Sequence, residues 1–358
     1  MTMLRLPRAV LGLFLALIGA TVNALEPLPK LAIDVNKTSV SGLSSGAFMT
    51  SQFYIAHSSI MVGAGIVAGG PYLCAQSWAL QDYLTNATTA CMNPLTAKAG
   101  PNTPLLVTLT KKLEREKLID PISNLANDKI YLFSGKADAV VATKVVDQTQ
   151  AFFRLLGVPA SAIRYRTDVN AGHAIITPSH TDSQCNLTQP PFINDCGFTQ
   201  AWDIFQQIYT HLSPPLSTAG QGAGRIIEFD QQQFIDSPHT SMSKAAYVYV
   251  PTACEQGGCR LHIVFHGCLQ GADVVGDKYY AHTGYNPIAD ANHFVVLYPQ
   301  VKPSSENPYN PQGCWDFWGY SNPVIKQHDY YSKQAPQIRA VRAMVDQLSR
   351  SISPRPAP

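Results

Sequence analysis

Ser44 stands in Gly42-Leu43-Ser44-Ser45-Gly46, the G-x-S-x-G spacing of a nucleophile elbow. On a tight strand-to-helix turn a serine is forced into strained backbone geometry. Its hydroxyl then projects above the sheet while the flanking glycines let neighbouring chain pass close by. The pattern also arises by chance, so it has weight only if a base and an orienting acid follow at suitable points. Residues 129–134 read as a strand running into Gly135-Lys136-Ala137-Asp138, and residues 163–167 as a strand that exits into Asn170-Ala171-Gly172-His173. His173 would take the serine proton, and Asp138 would hold the imidazole in the tautomer that can do so.

Each of these residues has a plainer reading. An aspartate after a strand is more often a turn or helix-cap residue, and any one of ten histidines is more often a surface or core residue. His180 is near enough in sequence to compete with His173, and His57 ends the elbow helix, away from the active edge of the sheet. Joint placement decides: Ser, Asp and His in that order, each at a strand exit, is the chain order of α/β-hydrolases.

The transition state of acyl transfer needs donors for a developing oxyanion. Residues 261–265 read as a strand that runs into His266-Gly267-Cys268-Leu269-Gln270. α/β-Hydrolases carry a strand followed by His-Gly ahead of the nucleophile, as the loop giving one backbone N–H to the oxyanion hole. Here it comes long after the histidine. The expected donors are the amides of Ser45 and Cys268. Such donors are fixed before the reaction, and losing one typically costs about 3 kcal/mol of transition-state stabilisation. Trp315, Phe317, Trp318 and Tyr320 would form an aromatic wall beside the nucleophile, although aromatic clusters more often belong to a core.

The elements that must position these groups are legible in outline. A strand at 38–43 leads into the elbow, a helix follows at 46–57, and an apolar run at 62–68 ends in Gly69-Gly70-Pro71. Residues 74–128 look like an irregular insertion over the sheet with one short helix at 111–117. Helices are expected at 145–156 and 201–211, and 213–224 is a linker by composition. Beyond it come strands at 225–229, 245–250 and 294–298 and an amphipathic helix at 337–349. Read cyclically, the second half supplies the early strands of a hydrolase and the first half the late ones. The expectation is one circularly permuted α/β-hydrolase domain over 25–358, with a mostly parallel sheet, helices on both faces, and the 213–224 linker joining the ancestral ends. The alternative is a conventional hydrolase followed by a separate β domain.

Composition bounds the rest. The chain has 358 residues, 14% charged, with a net charge of +2, which gives no reason to expect nucleic acid or an anionic membrane as partner. Residues 1–24 have a short basic start, an apolar run and small residues at the exit. They read as a secretory signal peptide, so the mature protein is expected in the periplasm or medium. All eight cysteines lie beyond it. Their spacing favours neighbour pairs, Cys74 with Cys91, Cys185 with Cys196, Cys254 with Cys259 and Cys268 with Cys314, although many other pairings are open. Cys268–Cys314 would pin the oxyanion loop to the aromatic segment. No metal site is expected, since no C-x-x-C pair or histidine ligand spacing is present, and no cofactor is implied.

Four motifs together resemble a known family: Ser41-Gly42-Leu43-Ser44-Ser45-Gly46, Ala68-Gly69-Gly70-Pro71-Tyr72, His266-Gly267-Cys268-Leu269-Gln270 and Gly313-Cys314-Trp315-Asp316. The chain is similar, over about residues 33–351, to the circularly permuted extracellular-type poly(3-hydroxybutyrate) depolymerases, and most of all to their single-domain catalytic units. The resemblance implies hydrolysis of polyester ester bonds, in polymer or oligomer, through an acyl-enzyme, by a monomer with no separate polymer-binding domain. It assigns Ser44, Asp138 and His173 as the triad and Ser45 and Cys268 as oxyanion donors. It also implies a substrate-contacting tryptophan two places after Trp315, where this chain has Phe317 with Trp318 beside it. Two other readings use the same residues: a feruloyl or acetyl-xylan type carbohydrate esterase, and a non-catalytic polymer- or granule-binding protein on a hydrolase scaffold.

Overall fold

Runs of aliphatic and β-branched residues with no polar alternation are what a strand buried on both faces requires, and such runs form the centre of the molecule. The computed structural model describes residues 25–215, 223–322 and 328–352. The signal peptide read at 1–24 lies outside these, as does 216–222 of the expected linker. In chain order the elements of the first half are β1 (Thr38–Leu43), α1 (Ser45–Ala56), β2 (Met61–Val67), α2 (Tyr83–Thr88), α3 (Thr103–Arg115), β3 (Lys129–Phe133), α4 (Thr143–Leu155), β4 (Ile163–Arg166), β5 (Ile175–Thr177), β6 (Ser183–Gln184), β7 (Ile193–Asp195) and α5 (Gln200–Ile208). The second half holds β8 (Arg225–Asp230), β9 (Ala245–Val250), β10 (Arg260–Phe265), α6 (Ala272–Val275), α7 (Lys278–His282), α8 (Tyr285–Asn292), β11 (Phe294–Tyr298) and α9 (Pro336–Ser349).

Eight strands form one sheet in the order β4-β3-β2-β1-β10-β11-β9-β8. From β4 to β11 all neighbours are parallel; β9 is antiparallel to both β11 and β8. The two halves of the sequence meet at β1–β10, with Val40 opposite Ile263 and Gly42 opposite Phe265. The second half completes the sheet begun by the first. Parallel pairing also sets the carboxyl ends of β1 and β10 side by side, where open α/β sheets bind their ligands.

Side-chain alternation divides the faces. Ser39 and Ser41 of β1 face Tyr209, just after α5, and Tyr285 of α8, while Gly65 of β2 faces Ile204 of α5. Gly42 and Phe265 face α1, where Phe265 meets Phe53 edge-on at 6.2 Å between centroids. Two differences from the expected elements are physical. The short helix expected at 111–117 is the second half of α3, whose first turn holds Pro104 and is capped by Asn102; proline is compatible with a first turn and does not break it. A second, three-stranded parallel sheet, β5-β7-β6, was not foreseen.

Candidate active site

Ser44 joins β1 to α1 with φ 58° and ψ −124°, a backbone state costing a residue with a side chain about 1–3 kcal/mol. The turn is held by Ser44 N–H on the Val67 carbonyl at 3.0 Å and by the Ser44 carbonyl accepting from Ala47 and Phe48 N–H at 2.8 and 3.0 Å. The glycines on either side are required by contact. A Cβ on Gly42 would lie 2.4 Å from the Gly46 carbonyl oxygen, and one on Gly46 would lie 2.3 Å from that of Phe265. β10 therefore passes against the elbow only because both positions lack side chains.

Asp138 and His173 come from the loops after β3 and β4. The loops are laced together by Lys136 N–H on Val169 O at 2.9 Å and Ala137 N–H on Ala171 O at 3.0 Å. Asp138 Oδ2 lies 2.8 Å from His173 Nδ1, and both side chains are buried. A carboxylate only accepts, so Nδ1 carries the hydrogen and Nε2 is left with its lone pair, the form a general base requires. Asp138 Oδ1 accepts from the Val140 and Val141 amides. Val141 in turn lines the same pocket as Ser44, which ties the acid–imidazole pair to the pocket of the serine.

Gly267 packs on Ser44: a Cβ on it would meet Ser44 Cβ at 3.4 Å. Its carbonyl accepts from His266 Nδ1 at 2.7 Å, and His266 Nε2 accepts from Val301 N–H at 3.2 Å. Burial lowers the His266 pKa to about 4, so the ring is neutral and donates in one direction only. In a trans peptide C=O and N–H point opposite ways, so holding the Gly267 carbonyl fixes the direction of the Cys268 N–H. Ser45 is the first residue of α1, where amides have no intrahelical partner. Among the described residues neither the Ser45 nor the Cys268 amide is taken up by a protein acceptor.

The pocket, ≈ 250 Å³, has Ser44, Ser45 and Cys268 at one side and Phe48, Leu84, Ala87, Met92, Phe317 and Trp318 around it. Phe317 stacks on Phe48 with centroids 4.2 Å apart, and Trp318 meets Phe317 edge-on at 4.9 Å. Trp315 does not belong with them. It is fully buried and packs T-shaped on Phe265 at 4.8 Å, so the expectation that it touches substrate is corrected. The Trp315 amide instead donates to Ser45 Oγ at 3.2 Å, anchoring the aromatic segment to the elbow. A disulfide between Cys268 and Cys314 adds a second anchor. The other bonds join Cys74 to Cys91, Cys185 to Cys196 and Cys254 to Cys259.

Asp316 stands in one of the four motifs, but the sequence alone assigns it no role. Its buried carboxylate accepts from the amides of Trp318, Gly319, Tyr320 and Ser321 and from the Ser321 hydroxyl, forming the turn that presents Phe317 and Trp318. Burial raises its pKa and those hydrogen bonds oppose the rise. The available signal was an aspartate within a Trp/Phe-rich run, a residue with no reason to be there unless the backbone needs an acceptor. A larger cleft of ≈ 630 Å³ between residues 177–182 and α7 is lined by none of Ser44, Asp138 and His173. There His180 is exposed and pairs with Asp195 at 2.7 Å, lining this cleft and not the pocket of Ser44. His57 is buried at the end of α1 and its pKa is lowered to about 4 by burial. Among the described residues no group of three His, Cys, Asp or Glu could hold a metal ion, and no helix is long and apolar enough to cross a membrane.

No protein-family model matches the chain. A poly(3-hydroxybutyrate) depolymerase of Delftia acidovorans is 40% identical over 346 residues, 95% of this chain; the chain spans 65% of the length of that relative. A polyhydroxybutyrate depolymerase of Talaromyces funiculosus is 32% identical over 355 residues, 95% of this chain and 96% of its own. Among solved structures, the PHB depolymerase from Penicillium funiculosum superposes with TM-score 0.78 at 29% identity, covering 90% of this chain and 99% of that one. A serine-to-alanine variant of a PHB depolymerase complexed with an R3HB trimer gives TM-score 0.79 at 28% identity, with the same coverage.

Proposed function

The chain belongs to the poly(3-hydroxybutyrate) depolymerase family, and from that premise we propose that it is an exported serine esterase hydrolysing ester bonds of poly(3-hydroxybutyrate) or its oligomers. Ser44 Oγ attacks the ester carbonyl while its proton passes to His173 Nε2. The negative oxygen is met by the Ser45 and Cys268 amides. Collapse expels the alcohol end of the chain, which takes the proton from His173, and an acyl group stays on Ser44. Water, deprotonated by His173, then releases the acid and restores the serine. Asp138 keeps the proton on Nδ1 throughout.

The observation that carries this reading is Ser44 held at positive φ on the β1–α1 elbow, opening into an apolar pocket with the oxyanion loop at its side. An apolar wall of Phe48, Leu84, Met92 and Phe317 suits an aliphatic polyester better than a hydroxyl-rich polysaccharide. The four disulfides support export. Circular permutation is part of the proposal. Its support is the β1–β10 seam and the closeness of the described ends, with Leu31 N–H on the Leu348 carbonyl at 3.0 Å.

Labelling with a serine-directed phosphonate and peptide mapping, beside clearing of an amorphous polymer suspension, tests the proposal. Label on Ser44 with 3-hydroxybutyrate released is the expected result. Release only of ferulate or acetate from plant polysaccharide would overturn the substrate class, and clearing by Ser44→Ala would overturn the nucleophile.

A further inference from the structure

Gln270 is fully buried, and its side chain joins two loops from opposite halves of the sequence. Its Oε1 accepts from the Gly267 amide at 2.8 Å, while its Nε2 donates to the carbonyls of Pro191 at 2.9 Å and Phe192 at 3.0 Å. The Phe192 carbonyl also accepts from Ile175 N–H at 3.0 Å, and Ile175 begins β5 two residues after His173. His173 is itself held in this region by its N–H on Thr188 Oγ1 at 2.9 Å. On the other side, Gly267 packs on Ser44 and precedes Cys268. An unbroken path of hydrogen bonds therefore runs from the strand behind the imidazole, through one amide side chain, to the peptide beside the nucleophile.

The chemistry of the side chain fits this position closely. The contact needs an acceptor on one side and two donors on the other, at the same distance from the backbone. Glutamine supplies that set without charge; glutamate lacks the donors, and lysine or arginine the acceptor. His266 holds the carbonyl of Gly267 and Gln270 holds its amide, so the residue just before Cys268 in the oxyanion loop is restrained from both ends.

We infer that Gln270 is a positioning residue for acyl transfer, locking the oxyanion loop of the second half in register with the His173 loop of the first. The inference rests on the esterase reading above. Donors stabilise the oxyanion only when already aimed at it, and a displacement of ~1 Å can cost on the order of 100-fold in rate. With the Nε2 contacts gone, the two loops are no longer tied through this side chain, and the Cys268 amide can drift relative to Ser44 while the apolar wall of Phe48, Leu84, Met92 and Phe317 stays in place.

The test compares the full chain with Gln270→Glu and Gln270→Leu on p-nitrophenyl butyrate, with thermal melting and inhibition by phenylboronic acid, which forms a tetrahedral adduct on an active serine. Gln270→Glu keeps the acceptor for Gly267 and loses both donors, so it remains informative if Gln270→Leu fails to fold. The expected result is kcat lower by about 10- to 100-fold with KM within about twofold, and boronate affinity falling in parallel with kcat. A Gln270→Glu enzyme with wild-type kcat overturns the inference, and so does one whose melting point falls while kcat holds, or one changed in KM alone. A wild-type chain that hydrolyses no ester overturns the esterase reading first and this inference with it. A wild-type chain that is active beside an equally active Gln270→Glu overturns this inference alone.

Discussion

Asp138 serves His173 and its own turn at once: Oδ2 lies 2.8 Å from the imidazole Nδ1, while Oδ1 accepts from the Val140 and Val141 amides at 2.8 and 3.0 Å. The backbone thus fixes the carboxylate that fixes the ring, so the turn-residue reading and the proposed catalytic one are compatible in a single arrangement. Asp138→Asn and Asp138→Ala should consequently differ. The asparagine keeps an acceptor for the turn, but its amide N–H₂ favours the tautomer with hydrogen on Nε2. We expect kcat on a soluble ester to fall on the order of 10³- to 10⁴-fold with little change in melting. The alanine should lose a similar factor and in addition about 1–3 kcal/mol of stability, from buried amides left without an acceptor. Equal activity of Asp138→Asn and wild type would contradict the assignment.

The two tryptophans of the aromatic segment should separate in the same way. Trp315 is packed on Phe265 inside the core, and Trp318 is half-buried at the pocket. Trp315→Ala should cost about 3–5 kcal/mol in denaturant unfolding. Trp318→Ala should unfold near wild type and raise KM for an oligomer, with kcat on a small ester preserved. If Trp315→Ala were stable and altered only in KM, the burial would be misassigned.

These contrasts mark what the sequence could and could not disclose. The elbow, the two strand exits and the loop at 266–270 were legible as structure because each is a local pattern: an apolar run, then a small set of residue types at fixed spacing. Trp315 was not, since its burial depends on Phe265, fifty residues away and on a strand whose neighbour is set by the fold. The β5-β7-β6 sheet has strands of two or three residues, too short for any period to register. Gln270 lay within a recognised motif, but its partners at 191 and 192 are visible only once the halves are joined.

Three buried histidines give stability a pH dependence with a definite sign. Burial lowers His262 to about 3 and His57 and His266 to about 4, against a usual 6.5. His262 is held neutral between Ser39 and Ser41 hydroxyls at 2.6 and 2.8 Å. Below about pH 6.5 the unfolded chain binds protons there that the fold does not, so acidification through this window favours unfolding. Asp128 acts the other way: burial raises it to about 7, and its ionisation in the unfolded chain favours unfolding as pH rises toward that value. Asp316, which burial also raises, acts with Asp128, so three imidazoles stand against two carboxyls and the unfolded state keeps a net excess of about one proton, worth at most about 1.4 kcal/mol per pH unit. The urea midpoint should rise from about pH 4.5 to about pH 6.5, and His262→Gln should reduce that rise. A midpoint that is flat or falls over this range would refute the account.

Permutation makes the most demanding prediction, because it concerns connectivity and leaves every contact in place. The Ala32 amide donates to the Arg350 carbonyl at 3.0 Å, beside the Leu31–Leu348 contact, so the described ends already share a hydrogen-bonded edge. A chain starting at 223 and running to 352, joined by a Gly/Ser linker of about 6–10 residues to 25, and ending at 215, keeps the β1–β10 seam, the disulfides and the Asp138–His173 pair. In that chain the His266-Gly267 loop precedes the nucleophile, the order other α/β-hydrolases use. Closing one loop and opening another should change stability by only about 1 kcal/mol, and kcat on a soluble ester should stay within a few-fold of the parent. The parent connectivity would prove essential if the rejoined chain were soluble and folded but silent, with phosphonate no longer reaching Ser44. The two halves would then need their present order to bring the Cys268 amide to the serine, and permutation would not describe this fold.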